Sequence, residues 1–193
     1  TGVDPALIED VYAGCGNQAG EDNRDVARMS SLLAGFPIEV PGVTINRNCA
    51  SALEAVNQAA RAIIAGEGDV FIGSGVECMS RAPWAMGKPD RTPQLGHPKM
   101  WDTTVGWRFN NPKLDTMYPI ISLGETAENI AKEMSISRQE QDEFAVESHR
   151  RAVNAINNGL FAKEIVPITV KRSRNDQGII DTDEHPRYRK EGD

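Results

Sequence analysis

Three cysteines and three histidines are the side chains of this 193-residue sequence best suited to nucleophilic or base chemistry near neutral pH. Cys49 is the sharpest of them. It falls between the β-branched segment Val43-Thr-Ile-Asn46 and a helix that opens near Ser51, so the N–H groups of a helix start point toward its sulfur. That setting favours the thiolate, and the chemistry it suits is covalent catalysis through a thioester. A small buried cysteine filling a strand-to-helix corner would look the same, and position alone leaves both readings open. Cys15 follows a strand in a Gly-rich turn, and Cys78 lies in Gly73-Ser-Gly-Val-Glu-Cys-Met-Ser80. Both stand where α/β sheets build sites, with packing the favoured role for each. Gly73 and Gly75 could let a backbone approach a ligand, but Gly-x-Gly alone lacks the rest of the dinucleotide fingerprint. His149 is read as a solvated residue of a charged helix, and His185 as part of a polar tail. His97 lies in an irregular stretch, and a Cys49–His97 pair would suit a cysteine hydrolase, although spacing alone does not bring the two together.

The elements that position Cys49 follow from periodicity. A strand is expected over Asp10 to Gly14, and a helix from Asn23 to Ala34, capped by Asp22 or Asn23 and ended by Gly35. A second strand covers Val43 to Asn46. Next comes a helix from Ser51 to Ala65, with Leu53, Val56, Ala60, Ile63 and Ile64 at helical spacing and Gly66 as the stop. Val70 to Gly73 is a third strand. This alternation predicts an α/β layer with a largely parallel sheet and right-handed crossovers. From Ser80 to Leu123 the rhythm gives way to a proline-rich stretch holding all three tryptophans, too long for an ordinary connection. Regularity resumes at Thr126 to Met134, followed by a helix from Arg138 to Asn158, which Ser137 and Glu140 begin with a capping box and Gly159 ends. Ile165 to Val170 and Gly178 to Asp181 read as a strand pair.

Composition narrows the class. Hydrophobic residues make up 39% and charged residues 25% of the chain, and no apolar run approaches the roughly 20 residues of a membrane-spanning helix. The net charge of −7 argues against nonspecific nucleic-acid binding, which needs a basic surface. An odd number of cysteines without Cys-x-x-Cys spacing indicates neither a disulfide framework nor a zinc ribbon, so no metal is expected and a reducing, cytoplasmic compartment fits. The sequence lacks an initiating Met and ends in a charged run, and it is read as a piece of something longer.

Asn46-Arg-Asn-Cys-Ala-Ser-Ala-Leu-Glu-Ala-Val56 resembles the nucleophile motif of thiolases, and Gly73-Ser-Gly-Val-Glu-Cys-Met-Ser-Arg-Ala-Pro83 resembles their second signature. Gly14-Cys-Gly-Asn-Gln-Ala-Gly-Glu-Asp-Asn-Arg24 and Gly106-Trp-Arg-Phe109 look like the 3-oxoadipyl-CoA branch. Glu125-Thr-Ala-Glu-Asn129, Ser137-Arg-Gln-Glu-Gln-Asp142 and Glu164-Ile-Val-Pro167 also match the family pattern, and the likeness is collinear over nearly the whole chain. Departures are Ala52, where family members usually carry Gly, and Cys78, where they carry Ser. Ser122 stands where the biosynthetic branch carries His, which weakens an acetoacetyl-CoA assignment.

The resemblance implies a CoA-dependent acyltransferase of fatty-acid or aromatic-compound degradation, with Cys49 as the acyl-carrying nucleophile, no bound cofactor, and CoA and acyl-CoA as its partners. It implies residues 1–79 as an N-terminal α/β domain lacking its first strand, 80–124 as a loop insertion over the CoA site, and 125–193 as the rest of the loop region with a return to the α/β domain. The C-terminal domain would be absent, and with it the histidine and second cysteine that complete the chemistry. Leu114 and Leu123 fall where the loop region makes apolar contacts to pantetheine, beside Ser122. Arg108 is the candidate reader of a distal carboxylate, with Arg81 and Arg91 as the other arginines of the insertion. The full-length family member is expected to be a homodimer or homotetramer. The rival reading is a non-catalytic half that binds CoA or a partner subunit.

Overall fold

β1 (Asp10–Gly14) is the middle strand of a three-stranded parallel sheet, with β2 (Gly42–Ile45) on one side and β3 (Phe71–Gly75) on the other. The structure is a computed structural model that describes residues 2–17, 20–21, 23–89, 96–171 and 176–187. The expected α/β architecture with a parallel sheet is present. α1 (Val26–Leu33) links β1 to β2, and α2 (Ser51–Ala65) links β2 to β3.

Strand alternation sorts the two helices onto opposite faces. Val11 and Ala13 of β1 point to one face, where they are buried with Ile8, Ala27 and Val40 in the core cluster. Gly42 is on that face too, and a Cβ there would lie 2.7 Å from the backbone nitrogen of Arg28, so α1 rides directly on β2. Gly14, Gly73 and Gly75 occupy the other face. A Cβ on Gly14 would meet Ala52 N at 2.3 Å, one on Gly73 would meet Val56 Cα at 2.8 Å, and one on Gly75 would meet Ala52 Cβ at 2.5 Å. The glycines of the second signature therefore admit a helix rather than a ligand.

The buried residues of α2 are not the expected ones. The expected apolar stripe is largely outside, with Leu53 at 64%, Ile63 at 48% and Ile64 at 86% exposure. The buried side is small instead: Ser51, Ala55, Ala59 and Ala62, with Glu54 among them. Periodicity identified the helix correctly but not its buried residues; of the expected stripe, Val56 does lie against the sheet, where its Cα and one methyl carbon meet Gly73.

α1 begins later than expected. Asn23 and Arg24 both have positive φ, so the chain is still turning there, and the cap is Asp25, whose carboxylate accepts the Arg28 N–H at 3.1 Å and the Thr44 hydroxyl at 3.0 Å. Asp22, the other expected cap, lies outside the described residues.

The stretch after Ser80 is more regular than its composition suggests. β4 (Trp84–Met86) pairs antiparallel with β5 (Met100–Asp102), and α3 (Pro112–Met117) follows, capped by Asn111. Three-residue strands are too short for alternation to reveal. The chain divides into two compact units, Thr1–Ile120 and Ile121–Asp193. In the second, α4 (Leu123–Glu133) starts three residues before the expected Thr126, because Ser122 and Glu125 form a capping box. α5 (Arg138–Asn157) has the expected Ser137–Glu140 box, and β6 (Ile168–Lys171) pairs antiparallel with β7 (Gln177–Ile180). Among the described residues no helix is long and apolar enough to cross a membrane.

Candidate active site

Cys49 is exposed and lies one residue before Ala50, the N-cap of α2. Alanine offers no side-chain oxygen, so the first-turn amides of α2 receive no side-chain cap. The loop that delivers the thiol is tightly built. Asn46 accepts the Asn48 N–H on its Oδ1 at 2.9 Å, an Asx turn across Arg47. Asn48 has φ +48°, a left-handed conformation that costs most residues about 1–2 kcal/mol and asparagine less. From the helix side, Ser51 Oγ accepts the Arg47 N–H at 2.9 Å and donates to the Asn48 carbonyl at 2.6 Å. Glu54, also on α2, sits between Arg61 at 2.8 Å and Arg47 at 3.3 Å. The Arg61 hydrogen bond, joined by the charge of Arg47, holds its carboxyl below the ordinary value.

The same loop is tied to the two neighbouring strand ends. Asn46 Nδ2 donates to the Gly16 carbonyl at 2.9 Å, and the Gly16 N–H donates to Glu77 Oε2 at 2.7 Å. Glu77 Oε1 accepts the Asn17 N–H at 3.3 Å and lies 3.9 Å from the buried Cys15 sulfur. Asn17 reaches onward: its Nδ2 donates to Thr103 O at 3.3 Å and Oγ1 at 3.1 Å, and its Oδ1 accepts from Arg108 Nη2 at 3.4 Å. Side-chain and backbone hydrogen bonds therefore run from Arg108 through Asn17, Glu77, Gly16 and Asn46 to the residue next to Cys49. The Asn-Arg-Asn run signals the Asx turn in the sequence. The roles of Asn17 and Glu77 carried no such signal, because their partners lie 60 or more residues away.

The other expected residues are distributed over both units. Arg108 is half-buried in the first, where Leu114 on α3 is exposed. Arg81 is engaged by Glu21 in a two-pronged ion pair, and Arg91 lies outside the described residues. In the second unit Ser122 is the N-cap of α4, its Oγ accepting the Glu125 N–H at 3.2 Å, and Leu123 is 82% exposed. His97 is exposed, and among the described residues no hydrogen bond joins it to Cys49. His149 is not simply solvated: its Nδ1 accepts the Arg187 N–H at 3.0 Å, and its ring lies 5.7 Å from that of His185.

A cleft of about 200 Å³ beside the strand ends is lined by Cys15, Asn17, Glu21, Glu77 and Arg81, but not by Cys49. A larger apolar groove of about 500 Å³ lies along α5, between Phe144 and Phe161. Among the described residues no three His, Cys, Asp or Glu side chains gather into a metal-binding group.

A parallel sheet with helices on both faces, and an exposed cysteine set at the start of a helix pressed onto strand glycines, defines an α/β protein with a candidate thiol nucleophile. The chain belongs to the thiolase family: residues 1–193 match the family's "Thiolase, N-terminal domain". It is 53% identical over 186 residues to a beta-ketoadipyl-CoA thiolase of Acinetobacter baylyi, covering 96% of this chain and 46% of that protein. It is 50% identical over 185 residues to the 3-oxoadipyl-CoA/3-oxo-5,6-dehydrosuberyl-CoA thiolase of Escherichia coli K12, with the same coverage. The crystal structure of the Bacillus anthracis acetyl-CoA acetyltransferase superposes with a TM-score of 0.83 at 38% identity, over 96% of this chain and 45% of that one. The chain thus spans about half the length of the relatives it matches.

Proposed function

We propose that the protein to which this chain belongs is a CoA-dependent thiolase that cleaves 3-oxoadipyl-CoA, with Cys49 as its nucleophile. The observation that carries the reading is the exposed Cys49, held by a braced left-handed turn at a helix start whose amides no side chain caps. The collinear likeness to relatives named for beta-ketoadipyl-CoA supports the substrate. The Cys49 thiolate adds to the C3 carbonyl carbon, with helix-start amides available for the developing negative charge. The C2–C3 bond then breaks, its electron pair stays on C2 of the departing acetyl-CoA, and a proton supplied there completes acetyl-CoA. The remaining succinyl group is a thioester on Cys49. A CoA thiolate attacks that carbonyl, the bond to Cys49 breaks, and succinyl-CoA leaves. The base that takes the Cys49 proton and the residue that protonates acetyl-CoA are assigned to the part of the relatives' length that this chain does not span, since it covers 46% of the Acinetobacter baylyi protein. Leu114 in the first unit, and independently Leu123 with its chain neighbour Ser122 in the second, are assigned to CoA contacts. The assembled protein is a homodimer or homotetramer.

Arg108 is assigned to the distal carboxylate that distinguishes this substrate from a plain 3-ketoacyl-CoA. A carboxylate withdrawn from water needs a charged donor, and a guanidinium can offer two hydrogen bonds. Its contact with Asn17 connects that reading to the loops around Cys49. Two measurements on the full-length protein test the proposal. Incubation with 3-oxoadipyl-CoA in the absence of CoA should add one succinyl group at Cys49, seen by peptide mass spectrometry; labelling elsewhere overturns the nucleophile assignment. Arg108→Ala should lower kcat/KM for 3-oxoadipyl-CoA by about tenfold or more while leaving 3-oxohexanoyl-CoA much less affected. Equal losses on both substrates overturn the carboxylate assignment.

A further inference from the structure

Cys49 has a strand-side support that its own residue type does not announce. Its position is set by the peptide units of Arg47 and Asn48, and each side of that turn is held by a different element. Ser51 holds it from α2, accepting from Arg47 N and donating to Asn48 O. Asn46 holds it from the end of β2, and both ends of its amide are used: Oδ1 accepts the Asn48 N–H and Nδ2 donates to Gly16 O, each at 2.9 Å. Gly16 is itself pinned by Glu77 from the end of β3. One side-chain amide thus fixes the left-handed residue before the thiol and sets the register of that turn against two neighbouring strand ends. A residue with only an acceptor could close the turn, but it could not also reach the Gly16 carbonyl.

We propose that Asn46 is a positioning residue for Cys49, aiming the sulfur and the first-turn amides of α2 at the same carbon. The catalytic part of this proposal rests on the thiolase reading; the geometric part does not. Misplacement of a nucleophile by a fraction of an ångström slows the chemical step more than it weakens binding, since the acyl-CoA is held largely by groups elsewhere.

The test compares wild-type full-length protein with Asn46→Ala and Asn46→Ser. Iodoacetamide alkylation of Cys49, followed by peptide mass spectrometry across a pH series, needs no substrate. Asn46→Ala should change the pH profile or the limiting rate of that reaction by about threefold or more, and lower kcat by about 10- to 100-fold with KM altered by less than about threefold. Asn46→Ser, whose hydroxyl can close the same turn more weakly, should recover part of the alkylation behaviour and part of kcat. Thermal melts and circular dichroism establish that the compared samples are folded. Identical alkylation profiles in all three proteins overturn the proposal, as does a loss that appears only as a lower Tm or a smaller folded fraction. If wild-type Cys49 accepts no acyl group from any 3-ketoacyl-CoA, the thiolase reading fails, while the alkylation comparison still decides whether Asn46 positions the thiol.

Discussion

Two guanidinium groups close on the carboxylate of Glu54, and one of them, Arg47, belongs to the loop that delivers Cys49. Glu54 is 7% exposed, so its charge depends on these partners. Arg61, with Arg47 behind it, lowers its pKa from the ordinary 4.5. A carboxyl whose folded pKa is depressed contributes stability that is present above the unfolded value and is lost as pH falls through the folded one. The stabilising effect of the Glu54 charge should therefore be complete at neutral pH and fade below about 4.5, the unfolded reference value. Glu54→Gln keeps the shape without the charge. The gap in Tm between wild type and this variant should be open at neutral pH and close under acid, measured by thermal denaturation over a pH series. A gap independent of pH would mean that shape, not charge, matters there.

At the scale of elements, the central contact is α2 on the glycine side of the sheet. Gly75→Ala would drive its new methyl to 2.5 Å from Ala52 Cβ and 3.1 Å from Gly14 O, an overpacking expected to cost about 1–3 kcal/mol. Ala52→Gly removes the nearer of these atoms at its own cost of about 1 kcal/mol in helix propensity. The double variant should therefore lose less than the sum of the singles by about 0.5 kcal/mol or more, measured by urea unfolding. Strict additivity would place the clash elsewhere. Gly14→Ala differs in kind, because its methyl would meet the backbone of Ser51 and Ala52 at 2.3 Å, and Ala52→Gly should not relieve it.

At the scale of the whole molecule, the chain covers 46% of its Acinetobacter baylyi relative, and the proposed reaction assigns its acid–base groups to the remainder. Positioned acid–base groups contribute about 10²–10⁴-fold each. The 193-residue polypeptide alone should show no sustained CoA-dependent cleavage of 3-oxoadipyl-CoA above background, followed by the loss of the 3-ketoacyl-CoA chromophore; steady turnover by a sample of verified mass would move the base into this chain. Much of the architecture was already local. The boundaries of β1 and α2, the capping box at Ser137 and the alternation of strands and helices follow from propensity, capping chemistry and period, which act over a few residues. The strand-to-helix setting of Cys49 is equally local, since a strand end and a helix start frame it. Other features depended on residues far apart in the chain. How closely α2 approaches the sheet was decided by Gly14, Gly73 and Gly75, which meet Ser51, Ala52 and Val56, and the support of the Cys49 loop by Gly16 and Glu77 across strand ends. Periodicity records that a helix has an apolar side; only tertiary packing determines how closely a partner approaches it, and so whether leucine or alanine lies inside.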